Sequence, residues 1–169
     1  MRIKIILFRS TGDPFVTGAI FAYSCPTPSS CELVQSYFNP QAILEEQFGF
    51  ALTLTTFSDT QIVMAASVPW GNNAGVVCLM SCSNTTSCDP EVVLIINPGN
   101  LVSSDAEFGE VIAIGPSIPF LAITAPQNTQ AAVLTYLCNS PNACSNQALL
   151  TSPTNDCTFL KQETTIAKN

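Results

Sequence analysis

Apolar runs of roughly four to nine residues recur along the chain, and each is bounded by a cluster of Gly, Pro, Asn, Ser or Thr. Runs of that length between turn-forming residues are the pattern of β-strands rather than of helices, which need ten or more periodic positions. The pattern is clearest between Phe48 and Asp105, where it predicts four strands over residues 48–54, 62–66, 75–82 and 92–96. The connections are rich in Gly, Asn, Pro and Ser, as hairpins require.

The runs repeat. Thr17-Gly18-Ala19-Ile20-Phe21, Ala74-Gly75-Val76-Val77-Cys78 and Gln130-Ala131-Ala132-Val133-Leu134 align without gaps, and each opens a strand that ends in Cys. Five residues then lead to a second Cys, giving the pairs Cys25/Cys31, Cys82/Cys88 and Cys138/Cys144. The first Cys recurs after 57 and then 56 residues. Phe48-Gly49 and Phe108-Gly109 lie 60 residues apart, and Pro40, Pro98 and Pro153 follow each second Cys. Shifted by 57, Lys4-Ile5-Ile6-Leu7 falls on Gln61-Ile62-Val63-Met64. The apolar N-terminus is therefore expected to be a strand; its apolar core is short for an export signal and no small-residue cleavage site follows.

This predicts an all-β chain of three tandem, four-stranded antiparallel sheets, propeller-blade-like and open-ended, each with a Cys-x5-Cys hairpin. The expected repeats are residues 1–47, lacking the first strand, 48–107 and 108–157. Residues 158–169 form a tail phased to donate a strand to a neighbouring chain, with Phe159 in the place of Phe48.

Composition narrows the function. Hydrophobic residues make up 47% of the chain and charged residues 10%, which is enough apolar surface for a packed core. Five Lys plus Arg in 169 residues with a net charge of −7 cannot form the basic patch that a phosphate backbone demands, so nucleic acid is not expected as a partner. No apolar stretch is long enough for a membrane-spanning helix. With no His, the chain lacks Ser-His-Asp and Cys-His nucleophile systems and His-containing zinc sites. Glu45-Glu46 are adjacent, so in a strand they face opposite ways and make no catalytic dyad. No enzyme, metal site or cofactor is expected.

Eight Cys in a chain of this size point to an oxidising compartment. The x5 spacing is wider than the usual zinc or redox pair. It fits a local disulfide clamping the tip of a hairpin. Cys78 occupies the position of Phe21 and Leu134 and should be buried; whether it pairs with Cys157 in a fourth bridge is open. Asn84-Thr85-Thr86 is a glycosylation sequon inside the Cys82/Cys88 loop. The matching loops, 26–30 and 139–143, are rich in Ser, Thr and Pro and suit O-linked sugars or plain turns. Trp70 lies on a loop, either as an anchor for a partner or as packing between neighbouring sheets.

The Phe-Gly pairs, the strand ends Ala65-Ala66-Ser67-Val68-Pro69 and Ile123-Thr124-Ala125-Pro126, and the Gly75-Val76-Val77 strand resemble the FG-GAP repeat, the blade unit of the integrin α-subunit propeller. The resemblance covers most of the chain through short motifs. Many such blades carry an Asp-rich calcium loop. Here the corresponding interval, 55–60, holds only Asp59, so calcium is not carried over.

Together these features predict an extracellular structural protein, secreted or at the cell surface. Its partners would be further copies of itself, head to tail, in a filament or surface coat, with covalently attached glycans. The alternative is part of an integrin-like adhesion propeller whose loops bind a protein or glycan.

Overall fold

The computed structural model of the chain describes residues 3–8, 18–27, 29–38, 47–58, 61–70, 74–82, 91–115, 120–127 and 131–152. They form three antiparallel sheets, each a meander in chain order. The first contains β1 (Ile3–Phe8), β2 (Ala19–Thr27) and β3 (Ser30–Phe38). The second contains β4 (Leu52–Ser58), β5 (Gln61–Val68), β6 (Val76–Cys82) and β7 (Glu91–Ile96). The third contains β8 (Ile112–Ile114), β9 (Phe120–Ala125), β10 (Ala132–Ser140) and β11 (Ala143–Thr151). A 3-10 turn at Gly99–Leu101 lies between the second and third sheets.

The second sheet is buried on both faces. Met64, Ala66 and Val68 of β5 and Val76, Cys78 and Met80 of β6 pack with Ile20, Ala22 and Tyr37 of the first sheet. The alternate positions, Ala65, Val77 and Leu79, pack with Leu121, Ile123, Leu134 and Tyr136 of the third. Successive side chains in a strand point to opposite faces, so a strand between two layers must be apolar at nearly every position. β5 is that strand: its last six residues, Val63 to Val68, are all buried. Among the described residues β9 meets a neighbouring sheet on one side and alternates accordingly, with Leu121, Ile123 and Ala125 buried and the positions between them more open.

The Phe-Gly pairs do not open strands, as the hydrophobic pattern suggested. They form turns ahead of β4 and β8, and the strand after Phe48 starts at Leu52 and runs through Ser58. Gly49 and Gly109 take left-handed φ values of 79° and 100°, which a side chain resists. A Cβ on Gly109 would also lie 2.8 Å from the Ser67 Cβ. Each turn is held by a Ser or Thr from the strand behind it. The Gly49 N–H donates to the Ser67 carbonyl (2.9 Å), the Ser67 N–H to the Ala51 carbonyl (3.0 Å) and the Ala51 N–H to Ser67 Oγ (2.8 Å). Gly109, Thr124 and Val111 repeat the arrangement at 2.8, 3.0 and 2.9 Å. Backbone donors of both turns are thereby paired within the chain, at a part-buried site for Ala51 and an exposed one for Val111.

These turns also join the sheets. Phe48 and Phe108 are buried, 3% and 0% exposed, and the backbone of each presses on a glycine of the sheet before it. A Cβ on Gly75 would overlap the Phe108 carbonyl oxygen and lie 2.6 Å from the Pro69 oxygen; one on Gly18 would overlap the Phe48 carbonyl oxygen and lie 2.6 Å from the Phe48 nitrogen. The Phe108 N–H donates to the Ala74 carbonyl across the same joint (2.7 Å), and its ring meets Tyr136 edge-on at 6.4 Å between centroids.

One alignment shifts. In β1, Ile5 lies opposite Ala22, whereas in the second sheet Ala65 lies opposite Leu79 and in the third Ala122 lies opposite Thr135. Matching cross-strand positions equate Ile5 with Ala65, three residues from the partner that a uniform spacing of 57 assigns. The β1–β2 connection is longer than β5–β6 by those three residues.

Candidate interaction surfaces

The hairpin tips of the first and third sheets are clamped as the spacing suggested. Cys25 is bonded to Cys31 and Cys138 to Cys144, with Cα separations of 4.1 and 3.9 Å. In the third sheet the two half-cystines are direct cross-strand neighbours, so the bridge closes a register that the ladder already sets. The pairing of Cys82 with Cys88, the Asn84 sequon, Cys157 and Phe159 lie outside the described residues. Cys78 is buried, 1% exposed, at the centre of β6, where it fills space between the first two sheets.

Trp70 sits in the turn after β5. It is 41% exposed and meets Phe50 edge-on at 5.4 Å. Phe50 belongs to the Phe-Gly turn, so the indole braces the turn with one edge and keeps the rest of its surface open.

The ends of the three-layer stack differ from its middle. On the first sheet, Phe21, Tyr23, Leu33 and Phe38 share the face turned away from the second: Ala19 pairs with Phe38 and Tyr23 with Leu33. Phe38 and Leu33 are 66% and 53% exposed. On the third sheet, Val133 pairs with Leu150, and Leu137 pairs with Phe120, on the face opposite the core residues Leu134 and Tyr136. Leu150 and Phe120 are 57% and 42% exposed. Large apolar side chains gathered on one surface mark an interaction site more often than isolated ones do. Leu54 of β4 is a separate case. It pairs with Met64, whose side chain faces the first sheet, yet it is 47% exposed. Among the described residues the first sheet has three strands with β1 at its edge, and none of them lies opposite β4.

Among the described residues no three His, Cys, Asp or Glu side chains converge as a metal site. No helix among them is long and apolar enough to cross a membrane. Among the described residues a titration shift falls on Tyr136: burial pushes its pKa above the usual 10.0, and Asn146 across the strand pair draws it partly back. No hydrogen bond of good geometry closes on that hydroxyl.

A scan of the sequence against models of protein families finds no match, and a search of curated proteins finds no significant relative.

Sequence reasoning picked out the Phe-Gly pairs and the Ser67 and Thr124 strand ends as separate motifs and missed that they bond to each other. The signal was present in their recurrence, with Ser67 and Thr124 separated by 57 residues and Gly49 and Gly109 by 60. The end faces were missed because the outward positions of β2 and β10 carry the same residue types as the core positions.

Proposed function

We propose that the chain is an extracellular structural protein, a self-assembling subunit of a filament or surface coat built from FG-GAP-like β repeats. The observation that carries this reading is the edge at β1 together with Leu54. An exposed strand edge is a template for pairing, and a strand added beside β1 would complete a fourth strand in the first sheet and cover Leu54. The strand donor is the 158–169 tail of a neighbouring copy. The two disulfides fit an oxidising, extracellular setting, and the Asn84 sequon is then a glycan site on a third clamped loop. The recurrence of the Phe-Gly turn with its Ser or Thr clamp supports repeats at 1–47, 48–107 and 108–157.

The alternative, part of an integrin-like adhesion propeller, is favoured by the same edge: a strand from elsewhere in a longer chain fills it equally well. Deleting residues 158–169 and measuring mass by light scattering tests the first reading. The truncated chain should fall to a monomer while the intact chain assembles. An oligomer unchanged by the deletion, or an intact chain that stays monomeric at high micromolar concentration, would overturn it.

A further inference from the structure

The two end faces of the stack correspond to the two kinds of face that meet at each internal joint. In β2, β6 and β10 one set of alternating positions looks back toward the preceding sheet: Phe21 and Tyr23, Cys78 and Met80, Leu134 and Tyr136. The other set looks forward: Ile20 and Ala22, Val77 and Leu79, Val133 and Thr135. Twice within the chain a forward face packs on a backward face. Ile20 and Ala22 lie against Met80 and Cys78 in one core, and Val77 and Leu79 lie against Leu134 and Tyr136 in the other. This leaves the backward face of the first sheet and the forward face of the third without a sheet against them among the described residues. They carry Phe38, Leu33, Phe120 and Leu150, each more than two-fifths exposed.

We infer that the occupant of each is a second copy of this chain: the forward face of the third sheet docks on the backward face of the first sheet of the next copy. This rests on the proposed self-assembly and assigns its surfaces. The contact is heterologous, since different patches meet, and so it propagates unless its rotation closes a ring. It also differs from the internal joints. At the position of Gly18 and Gly75 the third sheet has Ala131, whose Cβ denies the close approach that Phe48 and Phe108 make. Contact between copies therefore rests on side-chain packing and is reversible, whereas the internal stacking is locked at its glycine joints.

Two variants on exposed positions separate the outcomes without entering the cores. Phe120→Glu/Leu150→Glu blocks the forward face, and Leu33→Glu/Phe38→Glu blocks the backward face, so that the two blocked faces repel each other in a mixture. Each alone should weaken self-association on the order of a hundredfold, because the buried charges would lack partners, and should run as a monomer with the wild-type circular dichroism spectrum. Mixed in equal amounts they should form a 1:1 dimer and nothing larger, since each retains the face the other has lost. Assembly of either variant alone at wild-type strength, or a mixture that stays monomeric, would overturn the face assignment. A wild-type chain that never assembles would instead overturn the self-assembly reading beneath it. Hydroxyl-radical footprinting of the unmutated chain is independent of the variants: Phe38 and Leu150 should lose reactivity on assembly, and unchanged reactivity in an assembled sample counts against the inference.

Discussion

Gly75→Ala tests the joint that holds the second and third sheets together. The residue has φ +96°, where a Cβ costs about 1–2 kcal/mol. The new methyl would also overlap the Phe108 carbonyl oxygen and lie 2.8 Å from the Phe108 nitrogen. Backbone atoms cannot swing aside like the end of a flexible side chain, so the Phe-Gly turn itself must retreat. Retreat loosens a fully buried phenylalanine, whose complete loss costs about 3–5 kcal/mol, and lengthens the 2.7 Å bond from Phe108 to Ala74, worth about 1 kcal/mol. Partial relaxation brings the sum to roughly 3–5 kcal/mol, a large part of the ~5–15 kcal/mol that stabilises an ordinary domain. Gly99→Ala is the matched control: φ is +58°, and no atom lies within 4 Å of the added Cβ, so only the backbone cost of about 1 kcal/mol applies. Urea denaturation followed by circular dichroism and Trp70 fluorescence measures both. If Gly75→Ala falls within 1 kcal/mol of Gly99→Ala, the close approach of Phe108 is not what the glycine serves.

Tyr136→Phe should leave the fold as stable or up to ~1 kcal/mol more stable, because it removes a buried hydroxyl without a well-formed hydrogen bond; a loss above 1 kcal/mol in urea would show that the hydroxyl is bonded. The raised Tyr136 pKa adds a pH signature. Its contribution to stability is complete below the unfolded value near 10.0 and is lost as pH rises through the folded value, so the alkaline fall in stability should be shallower in Tyr136→Phe than in the parent. Thr124→Val should cost about 1 kcal/mol by removing the hydrogen bond that the Val111 N–H donates to Thr124 Oγ1 at 2.9 Å, and a neutral thermal melt would refute the clamp. Non-reducing peptide mapping should recover Cys25–Cys31, Cys82–Cys88 and Cys138–Cys144 as local bridges, and removing Cys138 and Cys144 together should cost at most ~2–3 kcal/mol, since the closed loop is short; a bridge joining different hairpins would refute the clamped tips. In material from a glycosylating host, glycosidase treatment should shift the mass of the Asn84 peptide, and an unmodified peptide at full abundance would count against a glycan there.

Strand identity was legible because period-2 patterning and turn residues are local properties. β2, β5, β6, β7 and β10 were visible from apolar runs alone. The opening of β4 was misplaced because Phe48 is apolar and sits beside a strand, yet it is buried through a contact with the preceding sheet that no local pattern reports. The shift in β1 has a similar origin. A connection three residues longer changes the register without altering the appearance of either strand, and only cross-strand pairing exposes it. The hairpin disulfides were readable from spacing because a six-residue separation leaves few geometries other than a turn. The end faces were not readable: Phe38 and Leu150 look like core residues, and only the stacking order reveals that they have nothing against them among the described residues.

Negative-stain electron microscopy of the purified, oxidised chain across a range of concentrations tests the self-assembling stack most directly. Head-to-tail docking predicts linear particles, one chain per axial repeat, that lengthen as concentration rises and shorten on dilution. Particles the size of a single chain at every concentration would contradict it. Closed six-sheet rings of two chains would preserve the docking of the end faces and contradict the filament.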